Sequence, residues 1–302
     1  MFENDVFFQE DGGYTNGFSL AYGSGGFDQL DDSNTWRLWL PLIRLSHIDN
    51  YANRTYAVSH LIGQVMNTPE DITVAEVIED QQPYSGITLL RNNFHSFDGI
   101  LSDRLGVYFG LVGPLSYAEQ AQRFVHELTD GTEPAGWDNQ LENELVFKIE
   151  LARSRKLLQK RASDKLVFEL ISSTNVGVGN LSSDLGLGIG FRLGTKLSEV
   201  VNIATELPGR EINPMALNAG FNWYVFAAVL GKYVFNDISI DGNTFRDSHS
   251  VELNHRQALL SYGFAVSFNR WVVGYTSARS SKTYRSQPES ANFGAINITY
   301  MF

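Results

Sequence analysis

The sequence predicts an all-β fold, a transmembrane antiparallel β-barrel of about twelve strands. Three observations predict it. Apolar and polar residues alternate over many segments; in LGLGIGFRLG (185–194) one face is Leu, Ile and Phe, and the other is four glycines and an arginine. Such polar faces, rich in glycine and in charges of both signs, suit the interior of a membrane barrel. The last segment, NFGAINITYMF, also alternates and ends on the aromatic Phe302.

A soluble β-sandwich also alternates, with apolar side chains inward, and is the alternative fold. Apolar stretches such as 226–231 are too short for a membrane-spanning helix, which needs about 20 residues. If the chain crosses a membrane, it does so with strands. Aromatic residues collect near the predicted strand ends, as interfacial girdles do, and this favours the barrel.

Twelve strands follow from the alternation, an even number as bacterial single-chain barrels require. They are expected at roughly 4–9, 14–22, 54–63, 84–93, 101–112, 139–153, 164–174, 184–194, 218–234, 250–267, 270–279 and 290–302. The segment 35–45 contains Pro41, which would remove a ladder hydrogen bond. We therefore expect a short amphipathic connector there, on the periplasmic side.

The whole chain, 1–302, is predicted to form a single outer-membrane barrel domain and a monomer. Only three residues precede Asn4 and Asp5, so the first strand is short for a membrane crossing. No signal peptide is visible after Met1. We expect the natural chain to begin upstream, with a signal peptide.

Composition excludes several classes of function. The net charge of -11 argues against a nucleic-acid partner, because phosphate binding needs a basic face. The chain has no cysteine, so it has no disulfide and no thiolate metal site. Its six histidines contain no His-x-x-x-His pair.

One segment, GPLSYAEQAQRFVHELTDG (113–131), predicts a helix in an outer loop. Ser116 and Glu119 have the spacing of a capping box. An apolar stripe of Ala121, Phe124, Val125 and Leu128 would dock it on the barrel, and Arg123 lies four residues from both Glu119 and Glu127. Gln122 and His126, spaced i and i+4, share one face.

The sequence resembles the outer-membrane lipid A 3′-O-deacylases. The motifs that carry the resemblance fill roughly the first half of the chain: ENDVF (3–7), YTNG (14–17), TPEDI (68–72), PYSG (83–86), GLVGPLSYAEQAQRFVH (110–126) and GWDNQLENE (136–144). Each is weak alone, but together and in this order they are specific. The second half matches only as barrel strands.

The resemblance implies a carboxylic ester hydrolase at the outer mouth of the barrel that releases an acyloxyacyl chain from lipid A. A histidine would activate water, and Ca²⁺ would supply the oxyanion site. The family's catalytic residues match His126, Gln122, Thr15 and Asn4, and Asp5 with Asn4 would bind the metal. Tyr14 and Trp137 are candidates for contacts with the substrate, and the expected partners are lipopolysaccharide and membrane lipids.

General chemistry agrees with these roles. Ester hydrolysis near neutral pH needs a base such as histidine, and a hard cation held by oxygen ligands can stabilise an oxyanion. Each residue also has an ordinary interpretation. Asn4 and Asp5 can be turn residues, Thr15 a lumen residue, Gln122 a hydrogen-bonding partner of the wall, His126 a solvated helix residue and Trp137 a packing aromatic.

Two other functions fit the same scaffold. The loop after the third strand holds five acidic residues and no basic one, and Gln82 stands where the family often has a basic residue. This loop offers no cation to the phosphates of lipid A, which favours a phospholipid esterase slightly. A non-enzymatic pore or structural barrel is the third possibility, since glycine-rich inner faces suit either a filled lumen or a channel.

Overall fold

The architecture is a twelve-stranded barrel. A computed structural model describes residues 2–4, 13–30, 37–50, 53–129, 131–161, 163, 165–195, 197 and 220–301. Its strands are β1 (Phe2–Asn4), β2 (Gly13–Phe27), β3 (Thr55–Thr68), β4 (Ser85–Phe97), β5 (Leu101–Val112), β6 (Glu144–Arg161), β7 (Val167–Val178), β8 (Ser182–Gly194), β9 (Phe221–Asp237), β10 (Arg256–Phe268), β11 (Trp271–Ser280) and β12 (Asn292–Tyr300). Its helices are α1 (Leu40–Ser46), α2 (Ala118–Thr129) and α3 (Ile238–Asp241).

Each strand pairs antiparallel with its neighbours in sequence, and β1 pairs with β12 through Phe2–Ile296 and Asn4–Gly294. The sheet is therefore closed, and the predicted barrel is confirmed. Residues 5–9 of the predicted first strand lie outside the described residues. In the described part of the chain, no helix combines the length and the apolar character that a bilayer crossing needs.

Several strands end later than predicted: β2, β3 and β6 extend to Phe27, Thr68 and Arg161 rather than to residues 22, 63 and 153. Two strands begin later than predicted because local turns replace strand. Residues Trp137–Asn139 form a 3-10 turn, so β6 begins at Glu144 rather than near residue 139. The loop 238–255 begins with α3, so β10 begins at Arg256 rather than near residue 250.

The alternation places apolar side chains on the outward face of the wall. On β8, Leu185, Leu187 and Ile189 are exposed, whereas Asp184 and Arg192 on the other face are buried. A bilayer would cover the exposed leucine and isoleucine side chains, and the lumen encloses Asp184 and Arg192. This is the arrangement expected of a membrane barrel.

Paired charges line the lumen along β5 to β8. Lys148 is 2 % exposed; it forms an ion pair with Asp184 and lies 3.6 Å from Glu150. Arg104 forms an ion pair with the same Glu150. A second group joins Lys156, Glu169 and Arg192.

The predicted connector is helical and packs on the outward face of the wall, at the end opposite α2. Residues Arg37–Trp39 form a 3-10 turn and lead into α1, where Pro41 occupies the first turn, a position that tolerates proline. Ile43 of α1 packs with Val58, Phe94 and Leu105 of β3, β4 and β5. The connector thus covers wall residues that lipid would otherwise contact.

The outer loops join one another across the mouth of the barrel. His249 Nε2 lies 2.8 Å from the carbonyl oxygen of Gln81, and Ser286 Oγ donates to the carbonyl oxygen of Asp80 at 2.5 Å. The loop 69–84 thereby contacts the loops 238–255 and 281–291. These contacts cover the outer end of the lumen.

Two acidic residues near the start of β6 bind the outer loop 238–255. Glu142 pairs with Arg246 at 2.6 Å. Glu144 accepts the backbone N–H groups of Thr244 and Phe245, so it fixes this loop and not a lumen cation.

Replacing Lys148 by Ala removes the cation between Asp184 and Glu150. Because an uncompensated charge in a buried pair is costly, we expect the free energy of unfolding to fall by about 3–5 kcal/mol. Urea titration in lipid vesicles, followed by tryptophan fluorescence, measures this. Lys160→Ala, at an exposed position of the same strand, is the control and should change little. Equal effects of the two substitutions would contradict the proposed role of the lumen ion pairs.

Candidate active site

The start of α2 is fixed to the outward face of the wall near its outer rim. Gln64 on β3 and Thr88 on β4 stand opposite each other, on the same face as the exposed Ile62 and Leu90. Gln64 Nε2 and Thr88 Oγ1 donate to the carbonyl oxygen of Ser116 at 2.5 and 3.0 Å. Two side-chain hydrogen bonds therefore hold the turn that leads into the helix.

A glycine lets the helix approach the strands closely. Gly86 lies opposite Met66 in the β3–β4 pair. A Cβ atom at Gly86 would collide with Ala118 and with Ser116 Oγ. Met66 packs against Ala118 in a buried cluster. The helix thus rests on the wall through small residues.

The predicted capping box is wrong, because the helix begins at Ala118. Tyr117 before it adopts a left-handed conformation with φ of 58°. Ser116 Oγ accepts the Ala118 N–H at 3.4 Å, and Glu119 accepts from Arg123 Nε at 3.1 Å. The ion pair of Arg123 with Glu119 is as predicted, whereas its second observed partner is Glu133 rather than Glu127.

The docking face of α2 is also narrower than predicted. Ala118 and Gln122 are buried and Ala121 packs against their cluster. Phe124 and Leu128, expected in the docking stripe, are 60 % and 71 % exposed. Close packing on Gly86 is made by small side chains, which leaves the larger apolar ones on the flank of the helix.

Gln122 is held in a fixed orientation. Its side chain is 1 % exposed, and its Oε1 accepts the indole N–H of Trp137 at 2.7 Å. Its Nε2 is buried and has no hydrogen-bond partner among the described residues. A buried amide with unused donors is costly, so the Nε2 group of Gln122 is suited to donate to a bound molecule.

His126 is fixed as one tautomer. Its Nδ1 lies within hydrogen-bond distance of the carbonyl oxygen of Thr132. A carbonyl oxygen only accepts, so Nδ1 carries the proton of the neutral ring and Nε2 keeps the lone pair. The Gly131 N–H also closes the helix on the His126 carbonyl oxygen at 2.9 Å. The segment that follows α2 therefore holds two side chains of the helix. Its Trp137 holds Gln122, and its Thr132 carbonyl holds His126.

The strand register brings two other candidates to the same level of the wall. Asn4 pairs with Asn16, Asn16 with Met66, and Met66 with Gly86. Neighbouring strands lie about 4.8 Å apart, so the backbone of Asn4 is roughly 10 Å from that of Met66, which packs against α2. Thr15 is the extra residue of a β-bulge between Tyr14 and Asn16. Bulges are common next to active sites.

The structure describes the backbone of Tyr14 but not Asp5. Tyr14 pairs with Asn67 in the ladder. Asp5 lies outside the described residues. Within those residues, no group of three or more His, Asp or Glu side chains forms a metal site.

Trp137 is not placed to contact a substrate directly. It is 1 % exposed and packs with Met66 and Tyr84, whose ring centroid is 5.0 Å away. Burial raises the pKa of Tyr84 to about 12, so Tyr84 stays a neutral donor and bonds the carbonyl oxygen of Ile72 at 3.2 Å. The packing interpretation of Trp137 is the one that the structure supports, and its N–H positions Gln122.

Sequence reasoning missed Gln64, Thr88 and the Thr132 carbonyl. A partial signal for the first two was present, because polar side chains interrupt the apolar face of β3 and β4, at Gln64 and Thr88 as well as at His60 and Asn92. Nothing local indicated Thr132, since a backbone carbonyl has no sequence signature.

Comparisons with known proteins agree with the fold. The model of the family described as "Outer membrane protein LpxR" matches residues 1–302. The solved structure of LpxR from Salmonella typhimurium superposes with a TM-score of 0.83 at 18 % identity, covering 100 % of this chain and 98 % of that one. No curated protein sequence matches significantly. The resemblance found in the motifs is thus confirmed, and the chain belongs to the LpxR family of the bacterial outer membrane, the lipid A 3′-O-deacylase family.

Proposed function

We propose that this protein hydrolyses the ester that holds the 3′-linked acyloxyacyl chain of lipid A, with His126 as general base. One observation carries the proposal. The bond from His126 Nδ1 to the Thr132 carbonyl leaves Nε2 as a proton acceptor, on a helix fixed to the outer wall of the barrel. Membership of the LpxR family supports lipid A as the substrate.

The reaction needs one base that later acts as an acid. Nε2 of His126 takes a proton from water while the water oxygen attacks the ester carbonyl carbon. The tetrahedral intermediate then collapses, the C–O bond to the sugar breaks, and the imidazolium returns the proton to the departing sugar oxygen. Ester and water give a fatty acid and an alcohol. The Thr132 carbonyl keeps the ring in the orientation and tautomer that both steps require.

Gln122 is suited to orient the water or the developing oxyanion. Its Nε2 donors are unused among the described residues, and its Oε1 is held by Trp137. An amide fixed in this way needs no reorganisation when negative charge develops, which makes its hydrogen bond more effective. Trp137 is therefore a positioning residue.

The residues expected to hold Ca²⁺ fit it in donor chemistry. Asp5 would supply a carboxylate and Asn4 an amide oxygen, the hard oxygen ligands that Ca²⁺ prefers. The bulge at Thr15 also leaves a backbone residue outside regular pairing, one residue from the ladder partner of Asn4. When bound, the cation would supply Lewis-acid stabilisation of an oxyanion.

A phospholipid esterase is the second candidate. Gln82 is buried and donates to the carbonyl oxygen of Thr68 at 2.8 Å, so it fixes the loop 69–84 and is not available to a phosphate. That loop carries five acidic residues and no basic one. Recognition of the lipid A phosphates would have to come from elsewhere.

Replacing His126 by Ala removes the base. Loss of general base catalysis typically lowers the reaction rate 10²- to 10⁴-fold. We therefore expect lipid A isolated from cells that express the variant to lack the mass decrease that deacylation causes. Gln120→Ala, an exposed position of the same helix, should leave the mass shift intact. Fatty-acid release from phospholipid vesicles without any change in lipid A would favour the second candidate instead. If lipid A is still deacylated after His126→Ala, the mechanism is wrong.

Trp137→Phe keeps an aromatic ring in the cluster and removes the N–H that holds Gln122. A neutral hydrogen bond contributes about 0.5–1.5 kcal/mol, so we expect kcat to fall by up to about tenfold with little change in KM. Trp271→Phe, at an exposed position on β11, is the control. A change in KM alone would argue for a role of Trp137 in substrate binding.

Chelation tests whether hydrolysis needs Ca²⁺, and the substitution Asp5→Asn tests whether Asp5 binds it. We expect EGTA to abolish hydrolysis, and Ca²⁺ to raise the unfolding temperature of the wild-type protein but not of Asp5→Asn. Glu79→Gln, in the exposed loop 69–84, should retain both responses. Equal stabilisation of Asp5→Asn and wild type by Ca²⁺ would exclude Asp5 as a ligand.

A further inference from the structure

Helix α2 has an apolar flank that no part of the described chain covers. Phe124 and Leu128 are spaced by four residues, so they lie on one side of the helix. They are 60 % and 71 % exposed, and Tyr117, which directly precedes the helix, is 63 % exposed. Large apolar side chains exposed together on the surface indicate an interaction site.

The opposite flank is polar and contacts the segment 131–139. Arg123 bridges Glu119 and Glu133, and His126 contacts the Thr132 carbonyl. The segment 131–139 that provides these contacts is itself held by the loop 69–84, through the Ala135 N–H to the Ile72 carbonyl oxygen at 2.8 Å. The polar flank of α2 therefore faces the outer loops, and the apolar flank faces away from them.

The wall that anchors α2 is part of the lipid-facing surface. Phe18 stands beside Gln64, and Leu111 stands between Thr88 and Leu145 in one row across β2 to β6. Phe18 and Leu145 are 54 % and 61 % exposed, as expected of side chains that contact acyl chains. We call this row of lipid-facing side chains the apolar belt. The two hydrogen bonds to the Ser116 carbonyl are made within it. The apolar flank of α2 continues that belt outward from the wall.

We propose that the apolar flank of α2, formed by Phe124 and Leu128, is immersed in the acyl chains of the outer leaflet. An amphipathic helix with one apolar and one charged flank lies in the membrane interface in this way. The helix then has lipid on one flank and His126 with the outer loops on the other. The inference rests on the exposure of this flank and on its continuity with the belt, and it does not depend on the chemistry at His126.

The chain has no cysteine, so single cysteines can be labelled without background. The test places a nitroxide at Leu128→Cys or Phe124→Cys in vesicles of phosphatidylethanolamine and phosphatidylglycerol. Leu187→Cys on the lipid-facing surface of β8 is the positive control. Glu127→Cys, exposed and on a different side of the same helix, is the aqueous control. Collision rates with oxygen and with a water-soluble nickel chelate are measured for each label.

We expect the ratio of oxygen to nickel accessibility at positions 128 and 124 to match that at 187 and to exceed that at 127 several-fold. A polarity-sensitive fluorophore on the same cysteines should emit at a shorter wavelength at positions 128 and 124 than at position 127 in the same vesicles. Water-like ratios at both 128 and 124, equal to that at 127, would overturn the proposal. Protection from both reagents would also overturn it, because it would indicate that protein covers this flank.

Discussion

The structure depends on one constraint, the hydrogen-bonding requirement of a backbone that crosses hydrocarbon. No water is present there to satisfy N–H and C=O groups, so every strand must pair on both sides. Pairing of the three-residue β1 with both β12 and β2 meets this requirement by closing the sheet. Once the sheet is closed, each side chain of a strand points either outward to the bilayer or inward to the lumen.

The two faces then follow different rules. The outward face exposes apolar side chains, whereas charges on the inward face must be compensated because they are removed from water. Lys148, Glu150 and Asp184 meet that need with one another and with Arg104. Helix α2 lies outside this lumen, on the outward face of the wall, where a lipid could reach it without passing through the protein.

Two polar side chains on the outward face attach the candidate active site to the wall. Gln64 and Thr88 are polar side chains on the lipid-facing side, and both are used to hold the Ser116 carbonyl. Beside them Gly86 and Met66 receive Ala118. Helix α2 is consequently attached to the wall at the level of the acyl chains, with His126 on its polar flank and Phe124 and Leu128 on its apolar flank.

The sequence by itself determined the features that repeat locally. Alternation with period two defined the strands and their faces, and the spacing in 113–131 located a helix bearing Gln122 and His126, because both periods are properties of neighbouring residues. Only the tertiary structure decided which side of the wall α2 packs against and that Trp137 is buried against Gln122. It also decided that Glu144 binds the backbone of Thr244 and Phe245. The contact of the Thr132 carbonyl with His126, which fixes the tautomer, likewise appears only in the folded chain. These contacts join distant segments or involve backbone atoms, and no local period specifies them.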